Sequence, residues 1–251
     1  MRFPEIFSAL AEEVKARLSA SPGGGHDWDH TCRVMRNAER LLAEEPEADR
    51  ETVLFAALLH DCARPEEHAS RGKVCHAQRG AELAAELMAA RGLPPEFRAG
   101  VAEIIRTHRY RAEARPGTPE GRIVFDADKL DSLGATGLGR AFLFAGSCGA
   151  RLHNTEKEAL AGQPYGPEDT AYREYLVKLR HLPRVMQTSA GRRLAEERLG
   201  FMAGFFRRLD EEVFSALSVP ETDGPSAWTA AFPGQEGQFS AAKGPGSEKK
   251  N

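Results

Sequence analysis

The chain predicts an all-α fold. Three observations carry that expectation: apolar residues recur at helical spacing along most of the length, almost nothing alternates with a period of two, and Gly or Pro punctuates the periodic stretches. At 251 residues, with 41% hydrophobic and 28% charged side chains, the chain can bury a substantial core, and one domain with appendages is favoured over two. The body is expected over residues 1–217, with a core from about 26 to 145 and C-terminal helices from about 169 to 217. From 218 to 251 Gly, Pro, Ser and Ala dominate, which predicts a disordered tail with Trp228, Phe232 and Phe239 as possible docking points.

In order, Ile6, Leu10, Val14 and Leu18 mark one face of a helix over 4–20, ended by Ser21-Pro22-Gly23-Gly24-Gly25. Asp27 can cap a second helix that runs toward Pro46 and carries His30, Val34, Ala38 and Leu41 on its apolar side. The run Val53-Leu54-Phe55-Ala56-Ala57-Leu58-Leu59, capped near Asp49, has no polar face and ends in His60-Asp61, so it reads as a helix buried on all sides. Arg64 to His68 reads as a charged connection. A third helix spans His76 to Arg91, with His76, Gly80, Ala84 and Leu87 inward, and a fourth starts near Pro95 and brings Val101, Ile104, Ile105 and His108 to one stripe. Arg111 to Gly121 is a polar loop. A long segment from Ile123 through Leu138 and Phe144 opens with three acids, Asp126, Asp128 and Asp131, in an apolar context. Beyond Arg151 a linker leads to helices over 169–182 and 189–217.

One histidine on an apolar face is more often a hydrogen-bonded core residue than a ligand. Here His30, His60, Asp61, His76, His108 and at least one of Asp126, Asp128 and Asp131 face inward from separate helices. A buried carboxylate needs a partner, and a divalent cation would satisfy the whole set at once. Imidazole and carboxylate without thiolate suit Mn, Fe, Zn, Co or Ni, and the sequence does not choose among these. The four cysteines (Cys32, Cys62, Cys75 and Cys148) make no CxxC pair and read as reduced thiols.

A net charge of −3 gives no basic footprint for nucleic acid. No stretch approaches the length of a membrane span, and Met1 to Leu10 runs into Glu12 and Glu13 without a cleavage-site pattern, so a cytoplasmic protein is expected.

His30, then His60-Asp61 after an apolar helix, then Ala127-Asp128-Lys129-Leu130 resembles the H…HD…D signature of the HD superfamily of metal-dependent phosphohydrolases. Residues 25–34, 126–131 with Gly134, and Met186-Gln187-Thr188 before Ala195 resemble the stand-alone bacterial HD hydrolases more narrowly. The resemblance covers about residues 1–216 and implies an HD-domain helical bundle with added C-terminal helices. It assigns His30, His60, Asp61 and Asp128 as ligands of one metal, with Mg added to the possible ions. Asp128 is preferred to Asp126 because it holds the Ala-Asp-x-Leu position. Some members with two metals carry further histidines before the third helix and at the end of the fourth, which His76 and His108 resemble. His108 is kept as an active-site residue and His76 as the lesser candidate, its spacing from Asp61 being short for that arrangement.

Phosphohydrolase chemistry would use a water acidified by the metal, with Asp61 steering the nucleophile and Asp126 or Asp131 orienting a ligand from behind. Arg64, Lys129, Arg109 and Arg33 are the cations close to proposed ligands. His26, His68 and His181 fall on loops or helix ends and read as solvated, whereas His153 is open. The resemblance implies a small phosphorylated substrate, most readily a nucleotide, and includes a nucleoside triphosphate losing pyrophosphate. Two alternatives stand beside it: a di-iron HD-type oxygenase, which needs both His76 and His108 on metal, and a non-catalytic nucleotide-binding regulatory module.

Overall fold

The computed structural model describes residues 3–19, 27–109 and 116–215. His26, Arg111 and the expected C-terminal tail, with Trp228, Phe232 and Phe239, lie outside the described residues. In chain order the described helices are α1 (Phe3–Ser19), α2 (Trp28–Leu42), α3 (Arg50–Leu59), α4 (Arg64–Ala69), α5 (His76–Ala89), α6 (Pro95–Thr107), α7 (Pro119–Leu130), α8 (Gly134–Ser147), α9 (Glu156–Ala161), α10 (Ala171–Val177) and α11 (Ser189–Phe214). No strand occurs among the described residues, so the fold is all-α as the periodicity predicts.

The run without a polar face becomes the central helix. In α3, Val53 and every residue from Phe55 to Leu59 are buried, and α1, α2, α6 and α7 all pack against it. Asp49 starts it by accepting a hydrogen bond from the Thr52 backbone N–H at 2.7 Å, and Asp27 does the same for α2 through the His30 N–H at 2.8 Å. Helix α1 covers the core with Ile6, Leu10, Val14 and Leu18. Phe3 and Phe7 meet Phe55 edge-to-face, and Phe97 closes the group, with ring centroids 5.2 Å apart for Phe55 and Phe97. No helix among the described residues is long and apolar enough to cross a membrane.

Several boundaries differ from the sequence expectation. Arg64 to Ala69 is a short helix rather than a connection, since Pro65 and the acids Glu66 and Glu67 suit a first turn. The polar loop before Ile123 ends early because Thr118 caps the Gly121 N–H and Pro119 takes the first helical position. The segment to Phe144 is two helices. Gly134 takes a left-handed φ of +73° between them, which a residue without Cβ adopts at no steric cost. Within the expected linker α9 forms on a capping box in which Thr155 and Glu158 satisfy each other's backbone N–H. The helix expected over 169–182 is α10 followed by a 3₁₀ turn, Leu179–Val185, that accommodates Pro183.

Candidate metal centre

Five helix ends converge. His30 lies in the first turn of α2, His60 caps the C-terminus of α3, His76 opens α5, His108 caps the C-terminus of α6, and Asp128 sits in the last turn of α7. All four imidazoles are buried. The two at helix C-termini share one local device: a ring Nδ1 donating to the carbonyl three residues back, His60 to Ala57 O at 2.8 Å and His108 to Ile105 O at 2.6 Å. A carbonyl only accepts, so the proton is on Nδ1 and the lone pair on Nε2. His30 places Nδ1 2.7 Å from Asp131 Oδ2, and His76 places Nδ1 3.0 Å from Glu67 Oε1.

Each Nε2 therefore turns toward Asp61. Its Oδ2 is 3.5 Å from the Nε2 of both His30 and His60, whereas its Oδ1 is 3.6 Å from His76 Nε2 and 3.8 Å from His108 Nε2. Asp128 adds Oδ1 at 3.4 Å from His30 Nε2. Two groups of ligand atoms lie within 4.8 Å of one another, His30–His60–Asp128 and Asp61–His76–His108, and either could hold a metal ion. His76 Nε2 is buried and has no hydrogen-bond partner among the described residues, which is costly unless something else meets it.

The electrostatics favour positive charge at the centre. Burial opposes a charged His30, yet hydrogen bonding to Asp128, Asp131 and Asp61 raises it to about 10. Burial lowers His60, and burial together with the nearby His60 and Lys129 pushes His108 well below the usual imidazole range. Burial would push Asp128 up, but Lys129 and His30 hold it well below the usual carboxylate range. Neutral His60 and His108 beside ionised Asp128 are the donor chemistry of a divalent first-row cation, and the proton on His30 stands where such a cation's charge would, so the residues fit one.

The remaining sequence candidates take distinct places. Arg64 donates from Nε to Asp61 Oδ1 at 2.9 Å and from Nη1 to Glu67 at 2.8 Å. Lys129 is buried, with its ammonium 2.7 Å from Asp128 Oδ2 and 2.6 Å from the His108 carbonyl. Asp131 stands behind His30, as the sequence allowed, and also accepts from Arg33 and Arg140 at 2.7 and 2.8 Å. Asp126 turns away: it accepts from the Gln187 and Thr188 backbone N–H groups and the Thr188 hydroxyl, each at 2.8 Å. Arg109 reaches Cys75 Sγ at 3.4 Å. His153 is buried and bonded to Asp210 at 2.6 Å, His68 is exposed and His181 half-buried. Glu67 and Arg140 were missed because neither lies on an apolar stripe, and only the chain's folding carries each to its partner.

The model of the family described as HD domain matches residues 27–133. The chain is 33% identical over 211 residues to the uncharacterized protein YpgQ of Bacillus subtilis, covering 81% of this chain and 93% of that protein. Among solved structures, it resembles Bacillus subtilis YpgQ in complex with ADP at 29% identity and a TM-score of 0.64, covering 86% of this chain and 98% of the other. A predicted HD superfamily hydrolase from an uncultured Thermotogales bacterium matches at 29% identity and a TM-score of 0.59, over 82% and 91% of the two chains. An HD-superfamily hydrolase from Bacillus thuringiensis matches at 27% identity and a TM-score of 0.65, over 84% and 98%.

Proposed function

This chain belongs to the HD domain family, and from that premise we propose that it is a metal-dependent phosphohydrolase acting on a nucleotide or another small phosphorylated metabolite. The observation that carries the reading is the common orientation of four imidazoles: every Nδ1 is tied to an acceptor and every Nε2 faces the Asp61 carboxylate. Kinship with hydrolases, and with a protein crystallised with ADP, supports the reaction class and the nucleotide.

In this reading His30, His60, Asp61 and Asp128 hold the cation. A divalent cation bound there supplies a water of lowered pKa and polarises a phosphoryl oxygen. The protein's part is positioning. Asp131 holds the His30 ring and its tautomer, and the Ala57 carbonyl holds His60. Lys129 ties down one Asp128 oxygen and leaves the other facing His30. Asp61 would steer the nucleophile, and Arg64 holds Asp61 Oδ1 with its guanidinium. His108 and His76 point Nε2 at Asp61 Oδ1, where they would face a phosphoryl group held beside the cation.

The di-iron oxygenase alternative needs a second cation on Asp61 Oδ1, His76 and His108. A second cation there would share Asp61 Oδ1 with the hydrogen bond from Arg64 Nε. The test is metal analysis of the purified protein alongside phosphate or pyrophosphate release from a nucleotide panel with added Mn, in wild type and His60→Ala. Metal near one per chain with release abolished in the variant is expected. Two irons per chain without release moves the assignment to oxidation, and a metal-loaded protein that turns over nothing in the panel returns it to a binding module.

A further inference from the structure

Behind His30, on the side of the ring away from Asp61, a cavity of about 370 Å³ opens between α2, the start of α8 and α11. Arg33, Arg36 and Arg40 enter it from α2, and Arg198 from α11. Its one acidic lining residue is Asp131, already engaged by His30, Arg33 and Arg140. Arg36 and Arg40 are exposed and make no ion pair among the described residues. Arg198 is half-buried, and its guanidinium bonds only to neutral oxygens, the Leu130 carbonyl at 2.5 Å and Asn37 Oδ1 at 2.9 Å. Burial and the like charge of Arg40 both lower its affinity for a proton. Four guanidinium groups thus face one space whose lining holds a single carboxylate, an arrangement that an anion would relieve.

The backbone adds to it. No side chain caps α8, and the first turn at Gly134, Ala135 and Thr136 lines the same cavity. The left-handed Gly134 lets Arg198 lie against it: a Cβ there would meet Arg198 Cγ at 3.2 Å. The guanidinium groups and the free N–H groups of that turn address one space.

We propose that this cavity is a second anion site, taking inorganic pyrophosphate or the like-sized phosphate chain of a small molecule. It is separate from the metal centre: the cation-facing atom of His30 is Nε2, whereas the cavity lies beyond Nδ1 and Asp131. The reacting phosphoryl group therefore does not occupy it, and the proposal does not rest on the reaction assigned above. Arg33 joins the two sites, because it lines the cavity and holds Asp131.

The experiment titrates the full-length protein with pyrophosphate by calorimetry, in wild type, in the double variant R36Q/R40Q, and in Asp61→Asn. The two arginines are exposed, so the double variant keeps the wild-type melting temperature and metal content. Saturable binding to wild type, weakened about tenfold or more in R36Q/R40Q and retained in Asp61→Asn, is the expected result. Equal binding in wild type and R36Q/R40Q overturns the proposal, as does no saturable binding at millimolar concentrations. Binding lost in Asp61→Asn but kept in R36Q/R40Q assigns the anion to the metal centre and overturns it equally. A parallel titration with a nucleoside diphosphate separates a free phosphate chain from one carried on a nucleoside: comparable binding of both shows that the phosphates alone are recognised.

Discussion

Asp131 shows how one side chain prepares another. Its Oδ2 sits 2.7 Å from His30 Nδ1 while Arg33 and Arg140 hold the same carboxylate, so the imidazole has one orientation and one available nitrogen. Second partners of this kind are worth about 10- to 100-fold in metal affinity. Asp131→Asn keeps the shape and an acceptor oxygen but loses the charge, and it is expected to weaken metal binding by about that factor and, because Arg33 and Arg140 lose a charged partner, to lower the melting temperature of the metal-free protein as well. Metal titration monitored by calorimetry checks it, and an unchanged affinity would show that Asp131 serves only the arginines. Arg64 offers a second test. Arg64→Lys retains a cation but not the two-pronged grip on Asp61 and Glu67, so turnover should fall about 10- to 100-fold with metal content intact.

These residues also show what could be read in advance. His30, His60, His76 and His108 were legible because each ends or begins an apolar stripe, and helical period converts that spacing into direction. Asp61 was legible because a carboxylate next to a wholly apolar run must be matched by something. The tethers on those groups were not. Glu67 on His76, Arg140 on Asp131 and the Lys129 ammonium on the His108 carbonyl are pairings between helices, and no local period encodes which helices meet.

At the scale of elements, the acids at the C-terminal end of α7 and its cap divide the work by the face from which each projects. Asp128 turns toward His30, Asp131 stands behind that ring, and Asp126 leaves the site to take hold of the chain before α11. Asp126 acts there as a remote cap, satisfying the Gln187 and Thr188 N–H groups just before Ser189. Asp126→Ala strands those donors and should cost about 2–4 kcal/mol in denaturant unfolding, with metal affinity close to wild type until the fold is lost. Gly191→Ala should act through the same contact, since a Cβ there would fall 2.2 Å from Asp126 Oδ2. If Asp126→Ala proves as stable as wild type while losing metal, Asp126 belongs to the metal centre after all. The breaks that the sequence reading missed come from equally local chemistry: Gly134 interrupts a stretch whose apolar residues run on through α7 and α8, and the capping box of α9 starts a helix too short to show a period.

For the whole molecule, the fold concentrates three carboxylates, Asp61, Asp128 and Asp131, around one buried imidazole. Such a cluster is stable only with compensating positive charge. A ligand that binds the folded chain and not the unfolded one stabilises it by mass action, about 2.7 kcal/mol at a hundredfold excess over its dissociation constant. Chelation of the bound cation should therefore lower the melting temperature by about 5–10 °C for a chain of this size. Asp61→Asn removes both a ligand and one of the repelling charges, so its melting temperature should respond little to chelator and should lie above that of chelated wild type. Differential scanning calorimetry of the two proteins, with and without chelator, reads both effects. Equal sensitivity to chelator would place the stabilising cation outside this cluster. A chelated wild type as stable as the loaded one would mean that the proton on His30, which the same carboxylates hold to about 10, already supplies the charge the fold requires and that the cation serves the reaction alone.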